Sequence, residues 1–209
     1  MQYYRTMRDE LGPRHWWPAR TPFEVCVGAV LTQNTAWTGA AKAIANLDEA
    51  GVLSAEALDA LPVDRLEELI RPAGYFRLKA KRLKNLLEYL KRSCDFDLAS
   101  LAGRPMDAVR EELLNVPGVG PETADSILCY ALAMPSFVVD AYTRRILARH
   151  GLVSEDIHYE ELREFFMDVL DPDQALYNDF HAQLVRVGNR FCKPGKPLCV
   201  ECPLGSFLP

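Results

Sequence analysis

The stretch LNVPGVGPETADSIL, residues 114–128, sets the small-residue turn Pro117-Gly118-Val119-Gly120 between two helical patterns and opens the second helix with Pro121 and Glu122. Backbone amides exposed at such a turn, beside the positive end of a helix, suit a phosphate group. Glycine there allows another backbone to come close and allows a positive φ. The same turn also serves as a plain helix–helix connection, so by itself it is a weak signal. Further along, FVVDAYTRRILARHG (137–151) leads through Val138 and Val139 to Asp140 and a basic helix with Arg144, Arg145 and Arg149. A lone acid at a helix start reads as a cap. Cys192, Cys199 and Cys202 form a third group, whereas Cys26, Cys94 and Cys129 stand alone in helical patterns and read as buried or idle thiols.

The elements that must carry these residues are helical. Leu83, Leu86, Leu87 and Leu90 repeat at i, i+3, i+4 and i+7, the core stripe of an amphipathic helix, with most lysines and arginines between them. Helix starts stand at Thr21-Pro22, at Pro121, and at Asp171-Pro172 ahead of DQALYNDFHAQLVRVGNRF. SFVVD (136–140) is apolar but too short to anchor a sheet. About ten helices with short connections give an all-α class.

Charge and composition narrow the partners. The net charge is −5, but its distribution matters more than its sum. Residues 71–92, RPAGYFRLKAKRLKNLLEYLKR, hold eight Lys or Arg against Glu88 alone, and the segment before them is acidic. That is one basic surface on an acidic body, or a solvated helix face. The polar segment MQYYRTMRDELGPRHWW lacks the apolar run of a signal peptide. No stretch approaches the roughly 20 apolar residues of a membrane span. The expectation is a soluble, cytoplasmic protein without a disulfide framework.

Taken in order, FEVCVGAVLTQNT, AGYFRLKAKRL, the hairpin, VVD, DFHAQLVRVGNRFC and the cysteine tail resemble the helix-hairpin-helix DNA glycosylases of the endonuclease III superfamily over nearly the whole chain. The resemblance implies a two-lobed fold. One lobe is 22–135, with the helix-hairpin-helix at about 107–133; the other pairs 1–21 with 136–209 and ends in a Cys-rich tail at 192–209. Double-stranded DNA with a damaged base lies between them, bound by a monomer. Asp140 becomes the catalytic carboxylate, stabilising positive charge on the sugar and orienting water after the nucleotide is everted. Gln33 becomes the side chain that enters the emptied stack, and Gly118, Val119, Gly120, Thr123 and Arg144 become DNA contacts.

Bifunctional members of that superfamily carry a lysine two residues after the second turn glycine, an amine that attacks the sugar. Here that residue is Glu122, and a carboxylate cannot form a Schiff base. The expectation is a monofunctional enzyme that leaves an abasic site. HWWPAR (15–20), GAVLTQNTAW (28–37) and GVGPETADSILCYA are similar to the 3-methyladenine DNA glycosylase III branch, which also has an acid there. That implies a lesion pocket from Trp16, Trp17, Pro18, Trp37 and Glu122, with His15 either in it or on the surface. Aromatic faces suit a cationic alkylated purine. Oxidised pyrimidines, mismatched thymine, or a non-catalytic DNA-binding role are the alternatives; the intact Val139-Asp140 step favours an enzyme.

The tail retains C-x6-C-x2-C, and the family pattern adds x5-C to complete the four thiolates of a [4Fe–4S] cluster. That last position is Leu208. Three ligands of a cluster, a zinc site with one nitrogen or oxygen ligand, and a metal-free tail all stay open. With a cluster present, Lys193, Lys196 and Arg190 around the loop would contact phosphates.

Overall fold

The computed structural model describes residues 1–13 and 17–209. It is all-α: among the described residues there is no strand. The helices are α1 (Gln2–Leu11), α2 (Pro22–Leu31), α3 (Trp37–Glu49), α4 (Ala55–Ala60), α5 (Val63–Leu69), α6 (Phe76–Cys94), α7 (Leu98–Ala102), α8 (Met106–Leu114), α9 (Pro121–Ser126), α10 (Ala141–Arg149), α11 (Tyr159–Met167) and α12 (Gln174–Arg190). α4, α5 and α7 have seven residues or fewer, too short for a periodic pattern to reveal. The chain forms two compact units, Ala19–Met134 and Met1–Pro18 with Pro135–Pro209.

In the Ala19–Met134 unit the central element is α2, whose residues from Phe23 to Leu31 are all buried. A helix apolar on every side belongs in the middle of a core. Thr21 starts it, its hydroxyl accepting the Glu24 N–H at 3.1 Å, with Pro22 in the first turn. α6 buries its leucine stripe as the periodicity predicts, but two of its lysines leave the expected solvent face. Lys79 is 1% exposed. Its ammonium donates to Leu31 O, Ala73 O and Thr35 Oγ1 at 2.8, 2.8 and 2.6 Å, joining the end of α2 to the turn before α6. Burial, and secondarily the charge of Arg82, push its pKa down to about 8. Lys84 donates to the carbonyls of Leu58, Asp59 and Leu61, capping the negative end of α4.

α8 and α9 are the arms of the helical hairpin. The second arm was expected to run to 133, but after Ser126 it widens into a π turn over Ile127–Ala131. That turn packs on α2 and buries Ile127, Leu128 and Cys129. Arg110 on α8 clasps Asp125 on α9 through two hydrogen bonds of 2.9 and 3.0 Å, and the aspartate is fully buried.

In the other unit, Phe137 stacks on Phe166 at 4.1 Å and meets Tyr177 and Phe180 edge-on, filling the space among α11, α12 and the segment before α10. α10 packs on α12 where Gly188 faces the Tyr142 ring. A Cβ at Gly188 would sit 2.5 Å from that side chain, so the crossing requires glycine. α1 joins α12 through Tyr4 Oη to Asp179 Oδ2, 2.8 Å, and Gln183 Nε2 to Gly12 O, 2.8 Å. None of the described helices is long and apolar enough to cross a membrane.

The Arg110–Asp125 clasp is the charged joint of the hairpin. Arg110→Ala removes two hydrogen bonds and a countercharge from a buried carboxylate and is expected to cost about 3–5 kcal/mol, read as a lowered urea midpoint; an unchanged midpoint would show that the pair does not hold the hairpin.

Candidate active site

Asp140 is the N-cap of α10, and its two carboxylate oxygens have different jobs. Oδ1 accepts the Thr143 backbone N–H at 2.7 Å and the Thr143 hydroxyl at 2.9 Å. Oδ2 faces His181 of α12, whose Nε2 lies 3.7 Å away, an ion-pair rather than a hydrogen-bond distance. The two side chains are 13% and 6% exposed. Burial by itself raises the Asp140 pKa; His181 and the two Thr143 donors outweigh it and hold the carboxyl below its usual value. The site therefore keeps a nearly buried anion, anchored by one oxygen.

The basic helix divides its labour. Arg145 donates to Cys192 O and Gly188 O, at 2.8 and 3.2 Å, and Arg149 to Cys192 Sγ at 2.9 Å and to the Lys193 carbonyl at 3.1 Å. Both are internal struts that fasten the tail to α10. Arg144 is exposed.

In the hairpin, Gly118 has φ +98°, the region that favours glycine, and the aliphatic part of Arg82 lies against it. The Val119 N–H donates to Val116 O at 3.0 Å, closing the turn on itself, and the Val119 side chain is buried. Thr123 is likewise buried, and its hydroxyl accepts from Gln33. Gln33 is folded onto the hairpin: Nε2 donates to Gly118 O at 3.0 Å and to Thr123 Oγ1 at 2.9 Å, while Arg82 Nη1 donates to Oε1. Asn85 Nδ2 adds a bond to Pro117 O, 2.8 Å. Arg82 and Asn85 had no assigned role in the sequence; the basic run that contains them was the available signal.

The aromatic positions are distributed over both units. Trp37 begins α3 and is 39% exposed, in the unit that also holds Glu122 in the first turn of α9. Trp17 and Pro18 belong to the unit that holds Asp140. His15 and Trp16 lie outside the described residues.

Cys192, Cys199 and Cys202 line one small apolar cavity with Ile146, Phe191 and Leu208. Burial raises the Cys202 pKa, and the neighbouring Cys192 and Cys199 add to it. Among the described residues no three Cys, His, Asp or Glu side chains are arranged to hold a single metal ion. Thiols are the donors that iron–sulfur clusters take, and Leu208 lines the same cavity as these three.

The chain belongs to the HhH-GPD superfamily of base excision DNA repair proteins, whose family model matches residues 27–172. It is 44% identical over 206 residues to a protein named as a DNA repair glycosylase in Methanocaldococcus jannaschii, covering 98% of this chain and 93% of that one. The structure is similar to that of an endonuclease III trapped as a covalent intermediate with DNA, with TM-score 0.82 and 26% identity over 97% of this chain and 91% of the other. It is also similar to Helicobacter pylori 3-methyladenine DNA glycosylase bound to 1,N6-ethenoadenine, with TM-score 0.76 and 28% identity over 90% and 96%. A DNA glycosylase of the base excision class is what this fold and family define.

The two hairpin glycines differ in what they tolerate. Gly118→Ala must hold a left-handed backbone and displace Arg82, and is expected to cost about 1–3 kcal/mol. Gly120, with nothing within 4 Å of an added Cβ, is expected to accept alanine within about 0.5 kcal/mol. Urea denaturation of both variants checks the contrast, and equal effects would contradict it.

Proposed function

We propose that the protein is a monofunctional DNA N-glycosylase that everts a damaged nucleotide and releases its base by hydrolysis, leaving an abasic site. The observation that carries this reading is Asp140, an ionised carboxylate with Oδ1 clamped by Thr143 and Oδ2 left for the reacting sugar or its water. Cleavage of the glycosidic bond builds positive charge on the sugar, and a fixed anion stabilises that charge without reorganising. Arg144, Gly118, Gly120 and the deployed Gln33 would meet the DNA, which the family's helix-hairpin-helix architecture grips through phosphates.

Glu122 supports hydrolysis over lyase chemistry, since it stands where the amine would be. Of Lys79, Lys81 and Lys84, the lysines that could replace it, Lys81 is exposed and two are already engaged. Lys79 is buried with three acceptors and Lys84 is committed to three carbonyls. For the substrate we favour an alkylated purine such as 3-methyladenine, a cationic base that exposed Trp37 can attract. The likeness to endonuclease III favours a second reading, an oxidised pyrimidine or mismatched thymine. An iron–sulfur cluster on Cys192, Cys199 and Cys202 would hold the tail loop in shape and leave base release to Asp140.

Duplexes bearing 3-methyladenine, thymine glycol, uracil or a G·T mismatch decide the substrate by which base is released. Asp140→Asn is expected to keep DNA binding and lower single-turnover release by on the order of 10²-fold or more; release at the wild-type rate would remove the catalytic assignment. Borohydride added during turnover is expected to trap no protein–DNA adduct, whereas efficient trapping would establish an amine nucleophile.

A further inference from the structure

Glu122 leaves the proposed reaction without an amine, so the orientation of a single carboxylate carries the whole electrostatic burden. Asp140 is tied to its own helix through Oδ1 alone. With Oδ1 alone anchored, coupled rotation about the Cα–Cβ and Cβ–Cγ bonds can keep Oδ1 in place while moving Oδ2 relative to a substrate. The second point of restraint comes from a different helix. His181 sits on α12, which packs against α10, and its ring is 6% exposed with Nε2 3.7 Å from Oδ2. Its neighbour Phe180 is locked among Phe137, Tyr4 and Phe166, so the backbone that carries the imidazole is part of the core.

We propose that His181 is a positioning residue for Asp140, restraining Oδ2 from α12 while Thr143 restrains Oδ1 from α10. This rests on the reading of Asp140 as the catalytic carboxylate. An imidazole N–H or imidazolium at this distance also favours the anion, in the sense already seen for the carboxyl. Catalytic contacts that are long in the free protein shorten when substrate closes the site, and 3.7 Å needs only a small side-chain shift to become a hydrogen bond. His181 touches neither sugar nor base in this scheme; it acts through Asp140.

A double-mutant cycle separates this role from a merely structural one. Wild type, Asp140→Asn, His181→Phe and the double variant are assayed for single-turnover base release, with DNA affinity measured separately. The probe is whichever of the 3-methyladenine, thymine glycol, uracil or G·T duplexes the wild-type protein processes fastest. His181→Phe is expected to slow release about 10-fold or more with affinity nearly unchanged. In the Asp140→Asn background the same change is expected to have no effect beyond about twofold. His181→Gln, which keeps a donor at similar reach, is expected to restore most of the rate. If His181→Phe does not fold, His181→Asn replaces it in the cycle, since its amide is too short to reach Oδ2. The proposal is overturned if the His181 variant releases base at the wild-type rate, if it slows release by the same factor with and without Asp140, or if Gln does no better than Phe or Asn. A wild-type rate in Asp140→Asn alone strikes instead at the carboxylate assignment and removes this inference with it.

Discussion

A carboxylate removed from water is unstable as an anion unless donors replace the lost solvent, and the Asp140 site is organised around that constraint. Thr143 supplies two donors from the first turn of α10, and the helix start itself favours negative charge. His181 lies against the remaining oxygen. Capping a helix and stabilising a cationic sugar are often weighed as alternatives for an aspartate at this position. The two oxygens make them compatible: the cap holds the anion still and charged, which is the condition that electrostatic stabilisation of a developing positive charge requires.

The hairpin shows a similar economy. A left-handed glycine, an arginine lying over it and a glutamine folded against it make one hydrogen-bonded assembly. Gln33 has its amide engaged at both ends in this state. If it fills the gap left by an everted base, it must first give up two hydrogen bonds to the hairpin that would grip the phosphate and one from Arg82. Grip and insertion would then draw on the same contacts, so DNA bound at Gly118 would have a direct route to the side chain proposed to enter the stack.

The tail depends on the same helix as the proposed catalytic residue. Arg145 and Arg149 bind the carbonyls and sulfur around Cys192, so two of the three arginines of α10 are engaged with the tail. The absent fourth thiol at Leu208 weakens the case for a complete cluster, but the three present still converge on one cavity. Hydrogen bonds from Arg145 and Arg149 attach this loop to α10.

Local sequence was enough for several of these features. The helical class, the starts at Thr21 and Pro121, the leucine stripe of α6 and the glycine turn are each decided by residues within a few positions of one another, where propensity, capping and periodicity operate. The missing lysine at Glu122 is also a local fact. Tertiary packing decided the rest, because the partners are distant along the chain. Lys79 reads as a surface charge until Leu31 and Ala73 are brought to it, and Val119 reads as an open turn until its amide is spent. Arg145 and Arg149 read as a basic face until the tail folds back onto them. His181, separated from Asp140 by 41 residues (181 − 140), acquires a candidate role only when α12 crosses α10. A charged group's meaning depends on what lies within a few ångströms of it, and for these residues only the fold supplies that neighbour.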